Sequence, residues 1–408
     1  MTSLLRLLKS KRMLFIAPYI MTFPLTILTI FFLGRNLSAY EYGLFSLFLT
    51  AVGIFSAVNS FGLTTSLLKS PESIIYRKFD ILKVFFLGGF LALVFVAISS
   101  FFSPNVKILF LFIVVAGIFQ AIQTISNGFY RGINSPLLYG ESLISQKLIF
   151  LVLILLGFHY SIGNIFLFYI LAFSLGILMF LWNVVSINRT KKLVENSENA
   201  EFSFIKLGFS LTIANIIVVF LPFWDRFIIA ESAVQEIGSY SFNSDIAVKL
   251  SAFWLLWLKL VTFPEILKNS SDYKTKILIL DKTLMLIVGT FFSCCMAILF
   301  FYQEFIFFLS KNADYQNQIV FLLLLLSCFV QFISYINNIK AVVINRPSII
   351  TYSSMIFGLL HILLSFYLVD FLGALGVALS LLCASIFSYV AAQIMLFSHQ
   401  QHFSQERS

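Results

Sequence analysis

A chain of 408 residues that is 60% hydrophobic and only 11% charged is far from the roughly 25% charged residues of a soluble domain, which excludes a water-soluble globular protein. The formal net charge of +9 would raise nucleic acid as a partner in a soluble protein. Here the basic residues sit between apolar runs, which assigns them to a membrane surface and excludes nucleic acid.

Apolar runs of about 20 residues, the length that crosses a ~30 Å hydrocarbon core, occur twelve times. They lie at 13–33, 42–68, 81–102, 108–126, 143–158, 162–187, 207–229, 238–263, 277–301, 319–335, 349–369 and 372–397. The predicted fold class is therefore an all-α polytopic membrane protein of about twelve transmembrane helices. Four basic residues precede the first run, as in a signal peptide. That run is about 20 residues long and lacks a small-x-small cleavage site, so it reads as a retained first helix. The 50 phenylalanines are spread through every span and read as lipid-facing surface rather than an aromatic cage.

Lys and Arg outside the spans alternate by side. One set of segments holds nearly all of them, and the other holds little beyond Arg35, Lys107, Arg226 and Lys311. Retention of basic residues in the cytoplasm then places both termini inside, as expected for an even number of spans. The longest internal polar stretch lies between the sixth and seventh runs. The domain reading is an N-terminal lobe at 1–187, a cytoplasmic linker at 188–204, a C-terminal lobe at 205–397 and a cytoplasmic tail at 398–408.

The two lobes repeat one another. Glu41-Tyr42-Gly43-Leu44-Phe45-Ser46 and Glu236-Ile237-Gly238-Ser239-Tyr240-Ser241 share Glu, Gly and Ser in register, 195 residues apart. A second register of 211 carries Gln120, Asn127, Ile133, Asn134 and Pro136 onto Gln331, Asn338, Ile344, Asn345 and Pro347. Six spans per half joined on the inside make this a parallel repeat, with a substrate path expected between the lobes.

Ionisable groups inside spans are costly and mark candidate sites. In the eighth run a rise of 1.5 Å per residue from Gly238 puts Asp245 about 10 Å deep and Lys249 about 16 Å deep. Their i, i+4 spacing with the acid first favours a pair on one helix face. Two readings follow: an ion pair satisfied within itself, or a cationic group lining a water-filled path. The repeat maps Asp245 to Thr50 and Lys249 to Ile54, so the first lobe keeps a polar stripe of Ser46, Thr50, Gly53 and Asn59 without charge. Asp225 and Arg226 map to Ile30 and Phe31, and Arg226 lies within snorkelling reach of the outer surface. Lys259 reads as a snorkelling anchor at the inner end of the eighth run.

The amides Gln120, Gln123, Asn127, Gln331 and Asn338 suit either a hydroxyl-rich substrate or helix-to-helix bonds worth about 0.6–2 kcal/mol each. Asn134-x-Pro136 and Asn345-x-Pro347 are expected to open the helices that follow them. Of the histidines only His361 falls inside a span, with no carboxylate near it in sequence. Cys294, Cys295, Cys328 and Cys383 have no paired spacing and read as buried thiols, with neither a disulfide nor a metal expected. No phosphate-binding loop or metal-ligand cluster is present in the sequence, so no catalytic residue or cofactor is expected.

The run Gly34-Arg35-Asn36-Leu37-Ser38-Ala39-Tyr40-Glu41-Tyr42-Gly43-Leu44, followed by Phe61-Gly62-Leu63, resembles the opening of bacterial polysaccharide-biosynthesis flippases. These are the Wzx-like O-antigen and capsule translocases of the superfamily that includes the MATE exporters. Asp225-Arg226 followed by residues 236–241 is similar to the matching second-half signature. The resemblance implies a MATE-like architecture in the cytoplasmic (inner) membrane. It further implies alternating-access movement of an undecaprenyl-pyrophosphate-linked oligosaccharide from the inner to the outer leaflet. Members have a cationic cavity, which agrees with Lys249 and Arg226. The first lobe departs from a symmetric cage, having no basic residue deep in a span. Lipid-linked oligosaccharide and membrane lipids are the implied partners, with a polysaccharide polymerase and a chain-length regulator beside them. A proton or sodium ion is the candidate coupling species, and Asp245 its candidate carboxylate. The alternatives are a cation-coupled MATE-type small-molecule exporter and, further off, an integral membrane polysaccharide polymerase. The first lobe has no carboxylate at depth, unlike such exporters, and the longest outer loop, at 302–318, is short for an enzyme and lacks His.

Overall fold

The computed structural model describes residues 11–60, 104–132, 135–160, 164–190, 217, 219–257, 273–343, 346 and 348–405. The run at 81–102, the linker beyond Thr190, Lys259, the second Asn-x-Pro element and the Phe61-Gly62-Leu63 signature lie outside these residues.

Among the described residues every regular element is helical. In chain order these are α1 (Lys11–Asn36), α2 (Ala39–Ser60), α3 (Pro104–Gly132), α4 (Pro136–His159), α5 (Ile165–Thr190) and α6 (219–232). A 3-10 turn (Val234–Glu236) leads into α7 (Ile237–Trp257), followed by α8 (Tyr273–Phe300), α9 (Tyr302–Ser310), α10 (Gln318–Val343), α11 (Ser348–Leu372) and α12 (Ala374–Gln405). Among the described residues seven helices are long and apolar enough to cross a membrane, or eight if a pair bent by 76° between Val288–Phe300 and Tyr302–Ser310 is one span.

The helix ends follow local chemistry. Ser38 and Glu41 form a capping box at α2: the Glu41 carboxylate accepts from Ser38 N at 2.9 Å and from Ser38 Oγ at 2.8 Å. Pro136 opens α4, where its missing N–H costs no helical bond, as the Asn-x-Pro spacing predicts. Asn164 and Asn317 accept from Leu167 N and Val320 N, three residues on, at the starts of α5 and α10. Gly373, with φ of 56°, turns the chain from α11 into α12 in the left-handed region that glycine tolerates.

The chain forms two compact units, residues Met1–Phe32 with Leu47–Phe220 and residues Leu33–Ser46 with Leu221–Ser408. In the first, Tyr169 of α5 packs edge-on against Phe48 and Phe150 and donates to Gln120 Oε1 at 3.2 Å. Tyr139 of α4 hydrogen-bonds Tyr19 of α1. A Cβ on Gly117 would lie 2.5 Å from Phe55 Cβ, so glycine lets α3 approach α2 closely.

The second unit corrects two expectations. Residues 302–318, expected as the longest outer loop, form α9 and a 3-10 turn (Ala313–Tyr315) bonded to α7. The buried Asn243 amide donates to Tyr315 O and Ser239 O, both at 2.8 Å, and its oxygen accepts from Tyr302 Oη at 2.9 Å. Tyr302, Ile306, Leu309 and Tyr315 are buried as a result, while Phe307 and Phe308 face outward. The four cysteines, expected to be buried, are each half-exposed. Phenylalanine is divided: Phe300, Phe366 and Phe371 stand exposed as a lipid-facing surface requires, whereas Phe45, Phe242, Phe291 and Phe321 fill the interior.

Candidate substrate-path site

The first turns of α2, the middle of α6 and the middle of α7 converge within the second unit. The approach depends on the two repeated glycines. A Cβ on Gly238 would lie 2.0 Å from Ala39 O, and one on Gly43 would lie 2.6 Å from Ile237 Cγ2. The two copies of the Glu-x-Gly-x-x-Ser motif therefore cross each other, each glycine making room for the other copy.

This crossing brings Tyr42 and Ser46 against α7. Arg226, on α6, has a side chain only 3% exposed, and its three nitrogens are all engaged. Nη2 lies 2.7 Å from Asp245 Oδ1, Nε donates to Ser46 Oγ at 2.8 Å, and Nη1 donates to Pro222 O at 2.8 Å. Asp245 Oδ2 accepts from Tyr42 Oη and Ser46 Oγ, each at 3.0 Å. A planar guanidinium presents several donors at once, and burial demands that each be answered. The result is an ion pair between a buried guanidinium and a partly exposed carboxylate, satisfied on both sides.

Of the two readings of Asp245 and Lys249, that geometry removes the ion pair satisfied within itself. Asp245 turns to Arg226, and Lys249, half-buried one turn further along α7, meets no hydrogen-bond or ion-pair partner among the described residues. A helical i, i+4 pair is worth only about 0.3–0.5 kcal/mol, while stranding a buried guanidinium costs several kcal/mol. Arg226 also departs from its expected snorkelling role, being buried.

Next to it on α6, Asp225 faces another set of groups. Its Oδ1 lies 2.5 Å from His361 Nε2 on α11, and its Oδ2 accepts from Tyr240 Oη at 2.7 Å. His361 Nδ1 lies 2.9 Å from Ser380 Oγ on α12. The sequence reading passed over His361 because no carboxylate lay near it in the chain. The signal that finds it is cost: a titratable ring inside a span needs a partner.

The remaining candidates lie elsewhere. Gln331 donates to Ser385 Oγ at 3.4 Å, and Gln120 accepts from Tyr169, so both amides join helices. Asn127 Oδ1 is buried without a hydrogen-bond partner among the described residues. Thr50 belongs to the first unit and donates to Leu47 O at 2.8 Å. Asn59 lies near the end of α2, and its side chain is outside the described residues.

No family model matches the chain, and no curated protein matches it in sequence. Solved structures do match. The lipid II flippase MurJ in an inward closed conformation aligns with a TM-score of 0.72 at 17% identity, covering 95% of this chain and 87% of that one. An inward-facing multidrug resistance MATE transporter of the MOP superfamily aligns at 0.65 and 12% identity, covering 96% and 99%. The Vibrio cholerae MATE transporter VcmN aligns at 0.61 and 15% identity, covering 95% of each. Identities this low carry the fold, and the chain is an all-helical membrane protein with the 12-helix, two-lobed fold of MurJ and the MATE transporters.

Proposed function

We propose that the chain is a flippase that carries an undecaprenyl-pyrophosphate-linked oligosaccharide, an O-antigen or capsule repeat unit, across the inner membrane by alternating access. The observation that carries this reading is Lys249. With Asp245 committed to Arg226, Lys249 is a half-buried cation without a counter-ion among the described residues. A charge held within a span calls for a wet cavity or an anionic ligand, and a lipid diphosphate is such a ligand. The fold shared with a lipid II flippase supports a lipid-linked cargo. In this reading the protein lies in the inner membrane with both termini in the cytoplasm, and works beside a polysaccharide polymerase and a chain-length regulator.

The shared fold with MATE transporters supports a second reading, a small-molecule exporter. Such exporters resemble one another in a first-lobe carboxylate, whereas among the described residues of the first unit the carboxylate present is Glu141, exposed in the first turns of α4. The two readings separate in proteoliposomes. Wild type is expected to flip a fluorescent undecaprenyl-diphosphate oligosaccharide, Lys249→Ala to lose at least about tenfold in rate, equal to about 1.4 kcal/mol, and Lys249→Arg to retain most of it. Full activity in a folded Lys249→Ala protein would remove the proposed role. Drug efflux without lipid flipping would favour the exporter.

A further inference from the structure

A proton count follows from the geometry around His361 once the Ser380 hydrogen is assigned. Ser380 Oγ lies 2.7 Å from Val377 O and 2.9 Å from His361 Nδ1; with its hydrogen on the carbonyl, the shorter contact, the hydroxyl meets Nδ1 as an acceptor and Nδ1 carries a hydrogen. Asp225 Oδ1 and His361 Nε2, at 2.5 Å, then need a hydrogen between them, since two bare acceptors at that distance repel. Whether it is drawn on oxygen or nitrogen, the Asp225–His361 unit is neutral and holds one proton more than an aspartate beside a neutral imidazole.

The surroundings enclose that proton while the helices stay together. His361 is fully buried and Asp225 is 3% exposed. From α7, Tyr240 donates its hydroxyl to Asp225. From α10, the Cys328 thiol lies near Tyr240. From α6, Arg226 is the adjacent cation, but its guanidinium is already bound to Asp245, Ser46 and Pro222. From α12 comes Ser380, an acceptor. Taking the proton away would leave a net negative charge in a buried site. A metal cation is a poor substitute: the imidazole occupies the Oδ1 side, Tyr240 occupies the Oδ2 side, and Nδ1 presents a hydrogen rather than a lone pair.

We propose that Asp225 and His361 form a proton-carrying site that joins α6 to α11 when loaded and empties when these helices part and water enters. On unloading, the N–H or O–H bond between them breaks and the proton passes to water, leaving a hydrated aspartate and a neutral imidazole. Loading reverses the step. Proton binding would thus favour the conformation in which the two helices are joined, and a proton gradient would bias the alternation between states. The inference rests on the reading of the chain as an alternating-access transporter, and it assigns the coupling proton to Asp225–His361 rather than to Asp245.

The test has two arms. Infrared difference spectra of the substrate-free purified protein between neutral and alkaline pH are expected to show carboxyl and imidazole bands of one exchanging proton. Both sets of bands are expected to be lost together in Asp225→Asn and in His361→Gln. Bands that survive in either folded variant, or that respond to sodium at constant pH instead of to pH, would overturn the proposal. Should neither variant fold, Ser380→Ala removes only the acceptor for Nδ1–H and is expected to move the pH midpoint of the same bands, with an unmoved midpoint counting against the site. In the second arm, a pH gradient across proteoliposomes is expected to accelerate wild-type lipid flipping and to have no effect on a folded dyad variant. Wild type that flips no lipid would count against the proposed cargo, leaving the infrared arm to decide the proton site.

Discussion

The two copies of the Glu-x-Gly-x-x-Ser motif share three letters and divide their duties. Each glycine gives way to the other copy, but Gly238 faces the backbone of Ala39 whereas Gly43 faces mainly the Ile237 side chain. Glu41 caps its own helix through Ser38, while Glu236 reaches across to accept from Ala374 N at 2.6 Å, at the start of α12. Ser46 sits between Arg226 and Asp245, whereas the Ser241 hydroxyl is buried with no hydrogen-bond partner among the described residues. A duplicated sequence therefore preserved the helix crossing, where shape is demanded twice. It let the polar positions diverge, because a single charged cluster needs only one serine.

The glycines test the shared part of the comparison and carry the largest effect. Gly238→Ala places a methyl 2.0 Å from Ala39 O, which only backbone movement can relieve. It is expected to cost more than the ~1–3 kcal/mol typical of overpacking, seen as loss of folded yield in detergent. Gly43→Ala meets Ile237 Cγ2 at 2.6 Å and the Ile237 carbonyl carbon at 3.0 Å, a milder clash. Adding Ile237→Ala is expected to recover part of the melting temperature lost in Gly43→Ala. Equal losses at the two glycines, or an equal rescue of Gly238→Ala by Ile237→Ala, would contradict the asymmetry.

The serines come next. Ser46→Ala leaves Arg226 Nε without its acceptor and removes a donor from Asp245. About 1–3 kcal/mol of stability is expected to go with a buried partner lost from a charged cluster, measured as a lower melting temperature. Asp245→Asn in the same background would cost less than in wild type, because the two groups belong to one network.

How much of this was legible can be judged from particular residues. The spans were readable because hydrocarbon imposes length and apolarity on each helix separately, and Pro136 marked the start of α4 by a rule that acts within one turn. Charge pairing was not readable in the same way. Asp245 had Lys249 one turn away in sequence, yet it took Arg226 from another helix, since the buried guanidinium had the greater need for a counter-ion. Asp225 and His361 are 136 residues apart and no local rule joins them. Offset arithmetic did find that the copies differ at Phe31 and Arg226, and at Thr50 and Asp245. It marked where the copies differ without saying which groups would meet there. Residues 302–318 show the same limit, since their order comes from Asn243 on α7 and their own composition reads as a loop.

The glutamates give a smaller contrast. Glu236→Gln keeps an oxygen for Ala374 N but removes the negative charge from the start of α12, a loss of about 0.3–1 kcal/mol for a carboxylate at a helix N-terminus. Because that carboxylate joins α7 to α12 across the Gly373 turn, the loss is expected as faster hydrogen exchange at the first amides of α12. Glu41→Gln is expected to act on α2 alone. Exchange changing at both helix starts in either variant would mean that the two acids share a role.

Ser241→Ala has the smallest expected effect and is the sharpest test of the divergence. A buried hydroxyl with no hydrogen-bond partner lowers stability, and Ser→Ala removes that penalty while giving up the volume of a single oxygen. In sequence, the register of 195 that carries Ser46 onto Ser241 pairs Arg226, the residue Ser46 accepts from, with Phe31, which has no polar group. Ser241→Ala is therefore expected to leave the melting temperature unchanged or slightly raised, with lipid flipping intact, while Ser46→Ala at the matching position lowers it. A drop at Ser241 as large as that at Ser46 would mean that this hydroxyl meets a partner in another state of the cycle, and that the second copy of the motif kept a polar function the crossing alone does not require.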